Sequence, residues 1–232
     1  MGLFSKFKKG DTQSKISLEK RVETVNKICL TKSIDKVVAE VVVVCDYSGS
    51  MSSLYENDKV QEALERLLPL ALKFDNDGTM PFYIFSSHYN RLKDINSNNY
   101  ENYIENEKIL KKYDMGGTRY SPVMGDIIKK HSNTKVPTFV IFITDGDCSD
   151  RLESEELIKK ASDESIFWQF VGIGGASFRF LQSLDDMSGR VVDNADFFSV
   201  DSISKLTDEQ LYNKLLGEFP GWLKEAKNKN II

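Results

Sequence analysis

At 232 residues and 41% hydrophobic content, the chain is long enough to bury one large core, and a single α/β domain is the expected organisation. Its 31 basic and 35 acidic residues leave a net charge of −4, without the basic surplus of nucleic-acid-binding proteins, so DNA and RNA are excluded from the expected partners. Cys29, Cys45 and Cys148 are odd in number, widely spaced and free of any C-x-x-C pair, which argues against a disulfide framework or cysteine zinc site and for a reducing, cytoplasmic compartment.

Residues 1–10, MGLFSKFKKG, mix Leu3, Phe4 and Phe7 with Lys6, Lys8 and Lys9, a composition suited to weak contact with a membrane surface. Lys6 stands where a myristoylation signal requires Ser or Thr. Residues 1–35 read as an N-terminal extension in which Ile16, Val22, Val25, Ile28 and Cys29 recur at helical spacing, predicting an amphipathic helix over 14–30 docked outside a domain of residues 36–232. The longest apolar run, 37–45, falls far short of the ~20 residues of a spanning helix, and a soluble protein is expected. That run is β-branched and nearly continuous, the pattern of a central strand buried on both faces.

A helix follows from Asn57 or Asp58 to Phe74, with Pro69 expected to kink it, and Asp75-Asn76-Asp77-Gly78 ends it as a turn. Residues 80–85 predict the next strand, and residues 92–95 a short edge strand reached through a polar turn at 88–91. A loosely periodic helix is expected over 98–113, a break at Gly116-Gly117, and a helix from Ser121-Pro122 to His131. Strands at 138–144 and 166–173 flank a helix at 153–162; a helix at 178–187, a weaker strand region at 191–200 and a helix at 207–216, opened by a capping box of Thr207 and Gln210, complete the chain. This alternation predicts an α/β, doubly wound and mostly parallel sheet with helices on both faces and one short antiparallel edge strand. In such folds ligands bind beyond the carboxyl ends of the strands, where the strand order reverses.

The sequence places oxygen donors at those ends. Asp46-Tyr47-Ser48-Gly49-Ser50 follows the first strand, and in extended chain Asp46, Ser48 and Ser50 point to one side, with Gly49 expected to tighten the turn. Thr118 follows the Gly-Gly break, and Asp145 ends the 138–144 strand. Two carboxylates and three hydroxyls make an all-oxygen set suited to Mg²⁺ or Mn²⁺, with Ca²⁺ less favoured, and leave a position for a carboxylate from a partner protein.

In that order and on those strand ends, the D-x-S-x-S, Gly-Gly-Thr and Thr-Asp-Gly sequences resemble the metal-ion-dependent adhesion site of von Willebrand factor A (vWA) domains. The resemblance implies that Ser48, Ser50 and Thr118 contact the metal directly, while Asp46 and Asp145 act mostly through water. Phe74-Asp75-Asn76-Asp77-Gly78, Phe170-Val171-Gly172-Ile173-Gly174, Phe180-Leu181-Gln182-Ser183-Leu184-Asp185 and Val192-Asp193-Asn194-Ala195-Asp196-Phe197-Phe198 further resemble the intracellular vWA proteins of bacterial tellurium-resistance and stress-response systems. That implies a chemical-stress context.

Tyr47, Met51, Arg119 and Tyr120 adjoin these donors and are expected to form a rim, with Arg119 suited to a second carboxylate; Asp147 is a candidate for tuning water near the metal, and Asp150 reads as an exposed loop residue. Cys148, three residues from Asp145, could be exposed to oxidants or metalloids, but nothing in the sequence lowers its pKa and an inert thiol is expected. The chain has no Gly-x-Ser-x-Gly and no Walker A loop, and neither His88 nor His131 adjoins an evident nucleophile, so a binding module rather than an enzyme is expected. A metal-dependent phosphatase attacking through Asp46 is the alternative, although Ser48 stands where such enzymes carry a second acid; a purely structural cation is another.

Overall fold

A computed structural model describes the backbone of residues 10–232 and the side chains from residue 18 onward. The segment read as a membrane-surface contact, residues 1–10, lies outside the described residues apart from the backbone of Gly10. Helix α1 (Gly10–Thr31) leads through a short turn to strand β1 (Glu40–Asp46), whose β-branched residues are all buried. A 3₁₀ turn (Gly49–Met51) and helix α2 (Ser52–Glu56) precede α3 (Lys59–Phe74), β2 (Phe82–Phe85) and β3 (Tyr89–Arg91). Two single-turn helices, α4 (Tyr103–Asn106) and α5 (Ile109–Lys112), lead to α6 (Ser121–His131), β4 (Thr138–Thr144) and α7 (Arg151–Lys160). The chain continues with β5 (Ile166–Ile173), α8 (Arg179–Asp185), β6 (Ala195–Val200), α9 (Asp208–Leu215) and α10 (Phe219–Asn228).

The six strands run in the order β3-β2-β1-β4-β5-β6; β3 pairs antiparallel with β2, and every other pairing is parallel. Alternate residues of β1 feed two cores. Val41, Val43 and Cys45 pack with α1, α3, α9 and α10, whereas Val42 and Val44 pack with α6, α7 and α8. The expected doubly wound architecture is therefore present, and its strand order reverses between β1 and β4, the two central strands.

Several local expectations change. The edge strand lies at 89–91 rather than 92–95, because the hairpin closes early through Ser86 N–H donating to the His88 carbonyl (2.6 Å). An edge strand with one face in water tolerates the polar residues that read as a turn, and the chain at Ile95 touches the sheet again through a single bridge to Met80. The helix expected over 98–113 is split by left-handed Asn102 (φ 51°) and Lys108 (φ 56°), a conformation that L-residues adopt singly and that ends a helix. The region 191–200 is strand only from Ala195, and α3 passes through buried Pro69 as one uninterrupted helix. The capping box is formed: Thr207 Oγ1 accepts from Gln210 N (3.2 Å), and Gln210 Oε1 accepts from Thr207 N (2.9 Å). Helix α10 is an addition, seated where Phe219 and Trp222 pack on Phe167 of β5.

Helix α1 is tied to the domain by charge as well as by Leu18, Val25, Ile28 and Cys29. Arg21 Nε and buried Arg66 Nε both reach Asp208, at 3.2 and 2.8 Å, joining α1, α3 and α9 through one carboxylate. Among the described residues, no helix is long and apolar enough to cross a membrane.

Candidate metal centre

Parallel pairing of β1 with β4 brings two strand ends together: Cys45 pairs with Ile143, so Asp46 and Thr144-Asp145 emerge side by side. Asp46 is fully buried. Its Oδ1 accepts from Ser48 N (2.7 Å), its Oδ2 accepts from Thr144 Oγ1 (2.6 Å), and its carbonyl accepts from Tyr55 Oη (3.0 Å). Burial pushes its carboxyl up to about 6, against the opposing pull of the Thr144 and Ser48 hydrogen bonds.

The hydroxyls of Ser48 and Ser50 lie 3.1 Å apart, and Ser50 Oγ donates to Asp145 Oδ1 at 2.9 Å. Four of the five predicted donor residues thus form one connected cluster. The third loop is joined by backbone: Ser48 bridges to Gly116, and Gly49 N–H donates to the Gly116 carbonyl (3.1 Å). Thr118, half-buried, is fixed from the other side because its carbonyl accepts from both Ser149 N (3.0 Å) and Ser149 Oγ (3.2 Å). Space at Gly116 is tight, since a Cβ there would lie 3.2 Å from the hydroxyls of both Ser86 and Ser87. Gly49, in contrast, has open room and no left-handed φ, so the expected role in tightening the turn is not what the structure uses; the 3₁₀ turn does that.

The rim differs from expectation. Tyr47, Met51 and Tyr120 are buried, and only Arg119 of the four stands out in solvent. Tyr47 Oη donates to the Tyr113 carbonyl (3.1 Å), tying the loop after β1 to α5, and Tyr120 Oη donates to the Gly146 carbonyl (2.6 Å), bracing the loop that carries Asp145. Asp150 is also buried, not exposed: Oδ1 accepts from Tyr120 N (2.9 Å), and Oδ2 from Ser121 N (2.8 Å) and Ser121 Oγ (2.6 Å). Burial alone would raise its carboxyl, but these donors together hold it below the usual value. Asp147 pairs with Arg151, one helical turn on. Cys148 is buried, and desolvation pushes its thiol up to about 12, so it is an inert thiol.

Thr144, Asp150 and Tyr55 are structural members to which the sequence assigned no role, and Tyr120, expected at the rim, joins them as a buried support. Thr144 carried a signal, as a hydroxyl at the last buried position of an otherwise apolar strand; Asp150 carried none, being one of several acids in a polar loop. The donor set fits a hard divalent cation: oxygens throughout, two acids and three hydroxyls.

A reversed-order doubly wound sheet bearing four of these residues after β1 and β4, and Thr118 on the loop between α5 and α6, defines a vWA-type domain. Residues 38–232 match the vWA-TerF-like family, described as the vWA found in the TerF C terminus, and the chain belongs to that family. A relative, the uncharacterised protein YcbR of Bacillus subtilis (strain 168), is 37% identical over 222 residues, covering 94% of this chain and 90% of its own. Similar folds occur in proximal thread matrix protein 1 of the mussel byssus, solved with a zinc-occupied MIDAS motif (TM-score 0.53, 17% identity, 82% of this chain and 50% of that one). Manganese-loaded TRAP protein of Plasmodium vivax (0.51, 21%, 70% and 68%) and the ArnB paralog VWA2 of Sulfolobus acidocaldarius (0.52, 18%, 79% and 46%) share it too. The chain spans about half the length of the mussel and Sulfolobus proteins, and at these identities the likeness is one of fold.

Proposed function

We propose that this protein is a metal-dependent protein-binding module, in which Ser48, Ser50 and Thr118 ligate Mg²⁺ or Mn²⁺, Asp46 and Asp145 act mainly through water, and an acidic side chain of a partner protein completes the shell. The observation that carries the reading is the chain of contacts from Asp46 through Ser48 and Ser50 to Asp145, which gathers acids and hydroxyls from two strand ends into one cluster. Two carboxylates balance a divalent charge only if both stay ionised, and a third, from outside, gains a direct electrostatic attraction. Arg119, half-exposed at the rim and 3.7 Å from Asp150, is available for a second acidic group of the partner. The zinc-occupied MIDAS motif of the mussel protein and the manganese-loaded Plasmodium protein, similar in fold, support divalent binding here.

Asp46 is a poor candidate for a phosphatase nucleophile, because both carboxylate oxygens are engaged and the group is fully buried. A binding role is therefore favoured over catalysis. The family's connection with TerF supports a bacterial tellurium-resistance or chemical-stress context, and three free, buried cysteines accord with a cytoplasmic location. Calorimetric titration with Mg²⁺ and Mn²⁺, followed by metal-dependent capture of partners from bacterial cytosol, tests the proposal. Wild type is expected to bind metal and retain a partner that chelation releases, and Asp46→Ala to do neither. Identical metal heats for the two proteins would overturn it, and turnover of phosphate esters lost in Asp46→Ala would favour the phosphatase.

A further inference from the structure

Strand β2 delivers the chain to the loops of the metal centre. Phe85 is the register partner of Asp46, and Tyr47 N–H donates to the Phe85 carbonyl (2.6 Å), so Ser86, Ser87 and His88 of the β2–β3 hairpin leave the sheet beside Tyr47 and Ser48. The loop that carries Thr118 is laid on this tip. Gly117 N–H donates to Ser87 Oγ (3.1 Å), and Arg119 N–H donates to the Ser86 carbonyl (3.0 Å). Ser86 N–H in turn donates to the His88 carbonyl (2.6 Å), so the backbones of Arg119 and His88 are joined through one residue.

The two side chains on this flank are uncommitted. Arg119 is exposed, and its guanidinium approaches Asp150 at 3.7 Å, beyond hydrogen-bond distance. Asp150 is already answered by Tyr120 N, Ser121 N and Ser121 Oγ, so it attracts the guanidinium without engaging its donors. A planar fork of N–H groups is left for a carboxylate. His88 is exposed, and among the described residues its imidazole has no hydrogen bond or ion pair. In either neutral tautomer a ring N–H is free to donate.

The other flanks do not suit an acid. Toward α7, exposed Asp147 takes up the charge of Arg151. Toward α2 and α5, Lys108 and Lys111 line a cleft that also bears Glu56, Asp58 and Glu105, so acids outnumber lysines there. Like charges across an interface cost affinity and opposite ones set its orientation, which leaves the hairpin as the side from which an acidic chain approaches.

Resting on the metal-dependent reading above, we infer that the partner presents a segment with two carboxylates and that this segment lies along the β2–β3 hairpin tip. One carboxylate completes the shell of the ion, and the second is held by the Arg119 guanidinium with the His88 imidazole beside it. The surface therefore selects doubly acidic segments over singly acidic ones.

The test uses the full chain at Mn²⁺ concentrations that saturate each protein, with capped Gly-Ser peptides as probes: one carrying a single Asp, the others also carrying a Glu within a few residues of it. The tightest two-acid peptide is expected to bind wild type about tenfold better than the one-acid peptide, and chelation to release both. Arg119→Gln with His88→Gln is expected to remove that gain, and Lys108→Gln with Lys111→Gln to leave it intact. With Mg²⁺ as the ion, the amide signals of residues 86–88 and 117–119 are expected to move further with the two-acid peptide than with the one-acid peptide. A one-acid peptide that binds in a metal-dependent way, with no gain from any second acid, overturns the inference and leaves the metal reading standing. A gain that survives the Arg119 and His88 substitutions, or that the lysine substitutions abolish, also overturns it. Binding of neither kind of peptide, or binding that ignores chelation, removes the metal reading and the inference with it.

Discussion

Replacing Asp150 tests whether the loops of the candidate metal centre are organised by a carboxylate outside the proposed ligand set. In Asp150→Ala, the backbone N–H groups of Tyr120 and Ser121 and the Ser121 hydroxyl lose their acceptor at the start of α6. Tyr120 is fully buried, so its N–H has no replacement from water; a donor orphaned from a charged acceptor there costs about 2–3 kcal/mol. Ser121 is half-buried, and water recovers part of its loss, leaving about 1 kcal/mol, the usual cost of removing a helix cap. The sum is about 3–4 kcal/mol. Asp150→Asn keeps an oxygen for Tyr120 N but turns an amide N–H₂ toward the two Ser121 donors, so about 1–2 kcal/mol is expected. Urea unfolding of metal-free protein reads both values as a fall in midpoint at constant slope. Because Ser149, next in the chain, holds the Thr118 carbonyl, Mn²⁺ affinity should also fall about tenfold in the Ala variant, ~1.4 kcal/mol. An Ala variant within ~0.5 kcal/mol of wild type, the range of an ordinary surface change, would refute the reasoning. So would an Asn variant as damaged as the Ala variant.

Three further outcomes follow from buried groups. The Asp46 carboxyl is raised from its ordinary value to about 6, so the folded metal-free protein holds this proton more tightly than the unfolded chain; its stability contribution is greatest at low pH and is lost as pH rises through about 6, which urea midpoints between pH 4.5 and 7.5, compared with Asp46→Asn, will register. Cys29, Cys45 and Cys148 are buried, with thiols raised to about 11, 12 and 12, so a thiol reagent at neutral pH should label the folded protein slowly and all three sites rapidly in denaturant; prompt native labelling of Cys148 would contradict its burial. Arg66→Met removes the donors to Asp208 (2.8 Å), the Ile203 carbonyl (2.6 Å) and the Leu206 carbonyl (2.8 Å) and should destabilise by about 2–4 kcal/mol, seen as a lower urea midpoint with metal binding retained.

The parts of this fold that were legible in the sequence are those fixed by period and burial. Val41 to Val44 and Phe139 to Ile143 announce central strands because both faces of a parallel strand are covered, and that same coverage places Asp46 and Asp145 at adjacent ends. The edge strand was misplaced because Tyr89-Asn90-Arg91 needs no apolar pattern when one side faces water. Left-handed Asn102 and Lys108 cut the expected helix at 98–113, and Lys108 in that conformation leaves no mark in the sequence. At the metal centre the donors were legible as spacing, whereas their supports were not. Tyr120 adjoins Thr118 in sequence, but its direction is set by the core it enters, where it meets Phe85 and Phe142 edge-on. Tyr47 is turned inward in the same way, by an edge contact with Tyr55 and a hydrogen bond to the Tyr113 carbonyl.

Those supports bear on how the two kinds of donor differ. Asp46 is held by a backbone N–H on one oxygen and the Thr144 hydroxyl on the other, and Thr144 Oγ1 is in turn within reach of Gly146 N at 3.3 Å. A carboxylate so engaged keeps its geometry whether or not a cation is present, and its remaining lone pairs suit water better than a direct, short bond. The serine hydroxyls are tied mainly to each other and to Asp145, contacts that a cation can replace by turning the hydroxyl protons away. On the proposed reading, the aspartate would supply fixed charge and the hydroxyls adaptable ligands. On that reading, a partner's carboxylate would meet an ion whose own protein ligands are largely neutral, which would make the ion a stronger acceptor of that carboxylate than it would be in a cage of acids.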